Sequence, residues 1–254
     1  METEINQAKF VNTQLSEGVL FVDKPTGFSS HFLVNWARKQ SGIKKVGHTG
    51  TLDPLATGLL ILLIGKKYTK LQPHYLKQDK EYICTARLGL QTDSYDVAGE
   101  TLFESSWTEV AAVTQSDIKK IIPQFIGNIK QAVPIFSAVK KDGKKLYKLA
   151  CKAQYDVGAQ AKVTKLLKNL PQRSITIYSL DLLEFKKNEA KKEVTFSFRV
   201  FCSSGTYVRS IAHDIGKILG VGAIVTELKR TKIGNFSVRE AVVCPHFCKK
   251  FYRY

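Results

Sequence analysis

One carboxylate stands alone in the stretch VGHTGTLDPLATGLL, residues 46–60, and it belongs to Asp53. Asp followed by Pro54 is typical of a helix N-cap with proline at the first helical position. Pro54 also keeps Asp53 itself out of the α-helical region. Spacing alone therefore favours a helix cap. The alternative is a reagent, because a carboxylate acting at the sugar helps to cleave a glycosidic bond.

Two further features favour the reagent. Gly47, Gly50 and Gly58 flank Asp53, and glycine lets the backbone approach a ligand closely. Arg209, in GTYVRS, falls in the first turn of a predicted helix, where a cation opposes the helix dipole. Broken local rules of this kind often mark functional sites. An arginine beside a buried aspartate would lower its pKa and keep it ionised. For Arg209, a phosphate contact or a simple salt bridge is the alternative.

The charge of the chain indicates the kind of partner. Its 254 residues include 39 Lys and Arg against 22 Asp and Glu, a net charge of +17. Such an excess favours a polyanion, although a solvated basic surface is the alternative. The longest apolar run, LLILLIG from Leu59, is far shorter than the roughly 20 residues that span a bilayer. We therefore expect a nucleic acid as partner and no membrane.

The five cysteines are odd in number, and the chain starts with the polar METEINQAKF. Both features indicate reduced thiols in a cytoplasmic protein. Cys244 and Cys248, in CPHFC, lack the second half of a zinc site. We expect no metal there.

The apolar patterns that must position these residues mix strands and helices without strict βαβ alternation. Predicted strands are Gly18–Val22, LLILLI from Leu59, Glu81–Leu88, SITIYSLDLLEF and EVTFSFRVFC. The mixture predicts an α+β fold with a large, mostly antiparallel sheet.

Three helices are predicted between these strands. Ser30 is the expected N-cap of the first, which Gly42 would end. Pro123 must kink or shorten the helix in SDIKKIIPQFIG. The helix after GTYVRS should bury the face that carries Ile211, Ile215 and Ile218.

Residues 130–170 are rich in lysine and poor in acids. Phe136, Tyr147 and Tyr155 interleave with the lysines, a combination that suits single-stranded nucleic acid. We interpret the segment as a mobile basic lobe that closes on a phosphate backbone; an ordinary solvated insertion is the alternative.

Five motifs over about residues 18–235 resemble, in order, the TruB family of bacterial tRNA pseudouridine synthases. They are GVLFVDKPTGFSS, VGHTGTLDPLATGLL, DKEYICTARLGLQTDSYDVAGE, SAVKKDGKKLYKLA and CSSGTYVRSIAHDIG, of which the GHTGTLDPLATG block is the most specific. The resemblance implies a pseudouridine synthase fold, a single catalytic domain over residues 1–254, and conversion of uridine 55 in the tRNA T arm. It further implies no cofactor or metal, no obligatory protein partner, and a cytoplasmic monomer.

The resemblance also implies roles for individual residues. Asp53 matches the catalytic aspartate, Tyr82 the tyrosine that stacks on the target base, and Arg209 the basic residue that pairs with the aspartate. Strand packing is the alternative for Tyr82. Whether the aspartate attacks the ribose or takes a proton in a glycal route is open.

The implied substrate-binding residues surround these three. His48 matches the histidine beside the flipped nucleotide, with Gly47 and Thr49 on either side of it. Lys24, in DKP, would lie at the edge of the site, and Leu228, in TELKR, would close the pocket. A loop hydrogen bond is the alternative for His48.

The chain departs from the family pattern mainly in the basic thumb, residues 123–160. Val133 and Phe136 replace a proline and a tyrosine, and Cys151 stands where arginine is common. The C-terminal RNA-binding domain is expected to be absent or vestigial, at about residues 236–254. We expect these departures to affect thumb docking and tRNA affinity more than chemistry.

Two other functions suit the same sequence. One is a non-catalytic RNA-binding protein or tRNA chaperone on the same fold. The other is a member of the related archaeal and eukaryotic branch, whose enzymes depend on a guide RNA and partner proteins.

Overall fold

The structure is a computed structural model that describes residues 10–11, 14–141, 143–153 and 170–243. It divides into two compact units, residues 1–83 with 227–254 and residues 84–226. Strands β6 (Lys80–Leu88) and β14 (Ala223–Ile233) cross the boundaries, so each unit contains part of both. The single-domain organisation expected from the sequence stays a prediction.

The first unit is built on strands in the order β16-β3-β5-β14-β6, with β4 paired to β5 and β15 to β14. β3 runs antiparallel to β5, whereas β5 runs parallel to β14. The elements are β1 (Phe10–Val11), β2 (Gln14–Leu15), β3 (Gly18–Lys24), α1 (Ser30–Ser41), β4 (Val46–His48), β5 (Thr57–Ile64), α2 (Lys66–Thr69), α3 (Gln72–Lys77), β15 (Phe236–Ser237), a 3-10 turn (Val238–Glu240) and β16 (Val242–Val243).

The core of the first unit forms because β5 is apolar on both faces. Seven of its eight residues are buried, as expected for a strand covered on both sides. Its side chains pack with those of β3 and with two tyrosines, in a cluster of Val19, Phe21, Leu59, Ile61, Leu63, Tyr68, Tyr75 and Ile233. The predicted buried strand is confirmed.

Helix α1 begins one residue earlier than predicted. The N-cap is Ser29, whose hydroxyl accepts a hydrogen bond from the Phe32 amide at 3.1 Å. The assignment of the cap to Ser30 is therefore wrong, since Ser30 is already helical and buried. Gly42 ends the helix in the left-handed conformation, as predicted.

The second unit has strands in the order β14-β6-β13-β12-β9, and β12 is antiparallel to both neighbours β13 and β9. The elements are β7 (Leu90–Thr92), β8 (Thr101–Glu104), α4 (Trp107–Ala112), α5 (Gln115–Ile121), a 3-10 turn (Ile122–Phe125), β9 (Gly127–Ala132), β10 (Lys140–Lys141), β11 (Lys144–Lys145), α6 (Leu146–Ala153), β12 (Gln172–Asn188), β13 (Glu193–Cys202) and α7 (Val208–Ile218). The predicted α+β class with a large mixed sheet is confirmed.

Two helices of the second unit test the periodicity of the sequence. α5 stops at Ile121 and a 3-10 turn containing Pro123 follows, as the proline predicts. In α7, Ile211 and Ile215 are buried, but Ile218 is 49% exposed. Its predicted burial is wrong because it is the last residue of the helix, and packing rather than spacing decides burial there.

Part of the basic segment is described. Val133 is fully buried in a small cluster with Ile135, Leu146 and Ala150, against which Phe136 packs. The Lys145 ammonium lies 5.8 Å from the ring centroid of Tyr147. Tyr155 and residues 154–169 lie outside the described residues, as do Cys244 and Cys248. In the described ranges no helix is long and apolar enough to cross a bilayer.

Candidate active site

Asp53 lies in the loop that joins β4 to β5, residues 49–56, hereafter the Asp53 loop. Residues 51–56 form no helix; the Ala56 amide donates to the Asp53 carbonyl at 3.0 Å, and β5 begins at Thr57. The helix-cap explanation of Asp53 is therefore wrong. The side chain is half-buried in a loop that is held from several sides.

Lys24 holds the middle of the Asp53 loop. Its side chain is fully buried at the end of β3. The Nζ atom donates to the carbonyls of Phe28 at 2.7 Å, Pro25 at 2.9 Å and Pro54 at 3.2 Å. Three bonds use all three protons of an ammonium group. Lys24 thus ties the residue next to Asp53 to the turn that follows β3.

Ser30 holds the residue before Asp53. Its hydroxyl accepts from the Leu52 amide at 2.8 Å and donates to the Leu52 carbonyl at 3.1 Å. On the other side of Asp53, the Gly27 amide donates to the Pro54 carbonyl at 2.8 Å. Both neighbours of Asp53 along the chain are therefore fixed to the segment 24–30.

Arg230, on β14, links the start of the Asp53 loop to the strand that follows the loop. Only 1% of it is exposed. Its Nε donates to the Leu59 carbonyl at 2.8 Å and its Nη2 to the Gly50 carbonyl at 3.2 Å. Gly50 lies near the start of the loop, and Leu59 lies in β5, just beyond the end of the loop.

The charges of these groups are coupled. The pKa of Lys24 is lowered to about 8, chiefly by burial; the negative charge of Asp53 opposes the shift, and the positive charge of Arg230 adds to it. Asp53 therefore lies within electrostatic range of the Lys24 ammonium. At pH 7, below that pKa, the buried amine carries its positive charge.

His48, Gly47 and Thr49 lead into the same loop. The His48 Nδ1 accepts from the Gly50 amide at 3.3 Å, which is the loop hydrogen bond given above as the alternative for this residue. Burial, followed by the charges of Arg230 and His31, lowers the pKa of His48. Thr49 is fully buried and its hydroxyl has no hydrogen-bond partner in the described part of the structure. The lowered pKa predicts a neutral imidazole at His48 at pH 7.

Tyr82 and Leu228 lie on the two strands that cross the unit boundaries. Tyr82 is half-buried on β6. Leu228 is 7% exposed on β14, and its carbonyl lies 3.4 Å from the Thr57 hydroxyl. Both residues belong to the first unit, with Asp53, Lys24 and His48.

Arg209 belongs to the second unit, where its side chain is 4% exposed on α7. Its Nη1 lies 3.7 Å from Oδ2 of Asp96 and donates to the Ser94 carbonyl. Its Nη2 donates to the Phe136 carbonyl at 3.0 Å. The salt bridge that we gave as an alternative is thus present, to Asp96. The pairing of Arg209 with Asp53 stays a prediction.

Two buried residues of these sites were not singled out from the sequence, Asp96 and Arg230. Asp96 accepts from the Ser94 hydroxyl at 2.6 Å and from the Ala98 amide at 3.0 Å, which orients it toward Arg209. Asp96 lies in TDSYD, within the motif DKEYICTARLGLQTDSYDVAGE, and this position was the only indication of it in the sequence. Arg230 stands two residues beyond Leu228 in TELKR, and only the fold shows what it contacts.

A basic cavity lies beside this part of the first unit. Its volume is about 410 Å³, and three lysines line it, Lys45, Lys66 and Lys70, together with Val46, Gly47, Thr69 and Gln72. The Gln72 amide donates to the His48 carbonyl at 2.8 Å. The cavity therefore shares a wall with the segment that carries His48, and its lysines suit an anion.

Comparison with known protein families identifies the class of this protein. Residues 38–208 match the TruB family pseudouridylate synthase N-terminal domain, and residues 209–253 match the tRNA pseudouridylate synthase B C-terminal domain. The chain belongs to the TruB family. It is therefore a pseudouridine synthase, an enzyme of the isomerase class.

Individual relatives are similar over most of their length. The chain is 40% identical over 240 residues to tRNA pseudouridine synthase B of Chlamydia abortus, covering 92% of each chain. It is 39% identical to the enzyme of the same name from Protochlamydia amoebophila, covering 94% of this chain and 83% of that one. Among solved structures, a Cbf5-Nop10-Gar1 complex matches with a TM-score of 0.60 and 28% identity, over 92% of this chain and 58% of that one.

Proposed function

We propose that this protein converts uridine 55 in the T arm of tRNA to pseudouridine, with Asp53 as the essential carboxylate. The anchoring of the Asp53 loop carries the proposal. Lys24, Ser30 and Arg230 fix the backbone at Pro54, Leu52 and Gly50 through buried hydrogen bonds. A loop fixed so closely around one half-buried carboxylate suits a reagent that must meet its substrate at a set distance.

The reaction is an isomerisation of the nucleotide. The bond from N1 of uracil to C1′ of ribose breaks, the base turns, and a bond forms from C5 to C1′. C5 loses a proton and N1 holds one in the product, so no electrons are gained or lost. A carboxylate that acts at the sugar lowers the barrier to the first step.

Several residues are proposed to surround Asp53 and the bound nucleotide during that step. The ammonium of Lys24 lies within electrostatic range of Asp53, and Arg209 is proposed to pair with the Asp53 carboxylate. His48 is held neutral near the loop and is proposed to lie beside the flipped nucleotide, with Gly47 and Thr49. Leu228 closes the pocket in this proposal.

The substrate must leave its stack in the RNA, which costs a few kcal/mol. Tyr82 is proposed to stack on the everted base and to offset about 1–3 kcal/mol of that cost. The basic cavity at Lys45, Lys66 and Lys70 supports contact with a phosphate backbone, as does the net charge of +17. The thumb, residues 123–160, is proposed to fold over the arm.

The relatives named tRNA pseudouridine synthase B support tRNA as the substrate. The test mixes purified protein with an unmodified tRNA transcript, without guide RNA or other protein, and maps pseudouridine by chemical probing. Pseudouridine at position 55 alone is the expected result. A modified site elsewhere would contradict the specificity. A requirement for guide RNA and partner proteins would favour the guide-dependent branch, and binding without modification would favour a chaperone.

A further inference from the structure

We infer that Arg230 is a positioning residue for the reaction, and that it clamps the start of the Asp53 loop to the strand β5 that follows the loop. The inference rests on the proposed function, because it takes Asp53 as the reacting carboxylate. Arg230 itself touches no reacting atom in this account. It acts through the backbone that carries Asp53.

The hydrogen bonds define the clamp. Nε of Arg230 binds the carbonyl of Leu59 at 2.8 Å, and Nη2 binds the carbonyl of Gly50 at 3.2 Å. Gly50 lies near the start of the loop and Leu59 is the third residue of β5, so one guanidinium group joins the start of the loop to the strand that follows it. The group is planar and rigid. Its geometry therefore sets the distance between the start of the loop and β5.

The backbone of Arg230 fixes the clamp to the sheet. β14 and β5 are parallel neighbours, and Arg230 is the register partner of Gly58. Gly58 has a φ of +100°, and a Cβ there would overlap the carbonyl oxygen of Arg230. Glycine is needed at that position for the two chains to approach so closely. The side chain of Arg230 therefore starts from a point that is itself fixed to β5, just beyond the loop.

The charge of Arg230 has a second effect on the same site. The side chain is buried, and its positive charge adds to burial in lowering the pKa values of Lys24 and His48. Arg230 thus holds the loop in place and adds to the effect of burial in lowering the pKa of His48. Two substitutions separate these effects. Arg230→Lys keeps the positive charge but can bind only one of the two carbonyls. Arg230→Met removes the charge and both hydrogen bonds.

Arg38 offers a matched control. It lies in the same unit, and its guanidinium also donates to two backbone carbonyls, those of Lys44 at 3.1 Å and Val46 at 3.3 Å. Arg38→Lys and Arg38→Met therefore lose the same kind of hydrogen bonds without touching the Asp53 loop. Four quantities are measured in all four variants: the single-turnover rate on unmodified tRNA, the dissociation constant for the same tRNA, amide hydrogen exchange in residues 49–58, and the His48 pKa by NMR.

Both Arg230 variants should lower the single-turnover rate about 10- to 100-fold, because small displacements of a reacting group have effects of that size. Exchange in residues 49–58 should accelerate in both, and tRNA affinity should stay within about threefold of the wild type. The His48 pKa should rise in Arg230→Met and stay low in Arg230→Lys. The Arg38 variants should change none of these quantities.

Loop exchange at the wild-type rate in the folded Arg230→Lys protein would overturn the inference. An equal loss of rate in the Arg38 variants would also overturn it, since general destabilisation would then explain the loss. A wild-type protein that forms no pseudouridine would contradict the proposed function instead. In that case the hydrogen-exchange comparison still decides whether Arg230 clamps the loop. If Arg230→Met does not fold, Arg230→Lys provides the decisive comparison.

Discussion

The hydroxyl of Ser30 holds both backbone groups of Leu52, accepting from its amide at 2.8 Å and donating to its carbonyl at 3.1 Å. The Ser30 side chain, at the start of α1, thereby makes the two hydrogen bonds that a neighbouring strand would otherwise make to Leu52, the residue before Asp53. The contact spans 22 positions of sequence. It couples the first helix to the proposed catalytic loop.

Ser30→Ala should leave the amide and carbonyl of Leu52 unsatisfied in a buried place. Groups of this kind cost about 1–3 kcal/mol when a partner is removed. Urea denaturation measures the loss, and single-turnover kinetics should show a slower reaction. Ser29→Ala is the matched control, because it removes the N-cap of the same helix without touching Leu52. Equal effects of the two changes on the rate would contradict the coupling.

Lys24 should make stability rise with pH in the alkaline range. Its pKa is about 8 in the folded protein and 10.5 is its ordinary value. Between these values the unfolded chain binds more protons, so the free energy of unfolding increases as pH rises. Lys24→Gln should lack this increase. Denaturation of both proteins at several pH values between 8 and 10 measures it; parallel curves would contradict the lowered pKa.

Asp214, on α7, should make stability fall as pH rises in the acidic range, the opposite of the effect of Lys24. Burial raises its pKa from 3.8 to about 6. The folded protein therefore binds more protons than the unfolded chain between pH 4 and 6, and stability falls as pH rises through that window. Asp214→Asn should gain stability relative to the wild type from pH 4 to 6. A constant difference across the window would contradict the shift.

The neighbouring His213 should have the opposite effect to Asp214 on the pH dependence of stability. Its ring stacks on Tyr95 with centroids 3.9 Å apart, and burial lowers its pKa from 6.5 to about 4. Unfolded chains then bind more protons between pH 4 and 6.5, so stability rises with pH. The stability of His213→Asn relative to the wild type should fall as pH rises from 4 to 6.5, and a constant difference across this range would contradict the lowered pKa. Loss of the stacking on Tyr95 should lower the free energy of unfolding by the same amount at every pH. The change of that free energy with pH measures the titration of His213.

The ion pair of Asp96 with Arg209 should be a main support of the second unit. Both side chains are buried, with exposures of 8% and 4%. Removing one partner of a buried pair costs about 3–5 kcal/mol, so Asp96→Asn should lower the free energy of unfolding by that amount. Asp93→Asn, at a half-buried neighbour that accepts from the Glu100 amide, is the control. Equal losses would contradict the importance of the pair.

Local patterns in the sequence predicted the elements well. EVTFSFRVFC forms β13 with the expected bounds, Glu193–Cys202, because alternation of apolar residues is itself the cause of one buried face. Adjacent serines could not be told apart in the same way. Both Ser29 and Ser30 suit an N-cap, and backbone angles at the helix start decide between them.

Contacts distant in sequence could not be predicted. Asp53 and Pro54 resemble a helix start locally, but Lys24, Ser30 and Arg230 hold the segment as a loop from 22 to 180 positions away. Spacing alone favoured a helix cap for Asp53, and the resemblance implied its catalytic role. The anchors around it follow from the sheet order, which brings β14 beside β5.

The most direct test of the account compares Asp53→Asn with the wild type on the same unmodified tRNA. Single-turnover pseudouridine formation and tRNA binding are measured together, with Asp23→Asn, a half-buried aspartate on β3, as the control. We expect Asp53→Asn to bind tRNA with wild-type affinity and to form no detectable pseudouridine, while Asp23→Asn remains active. Pseudouridine formation by Asp53→Asn at the wild-type rate would contradict the central claim.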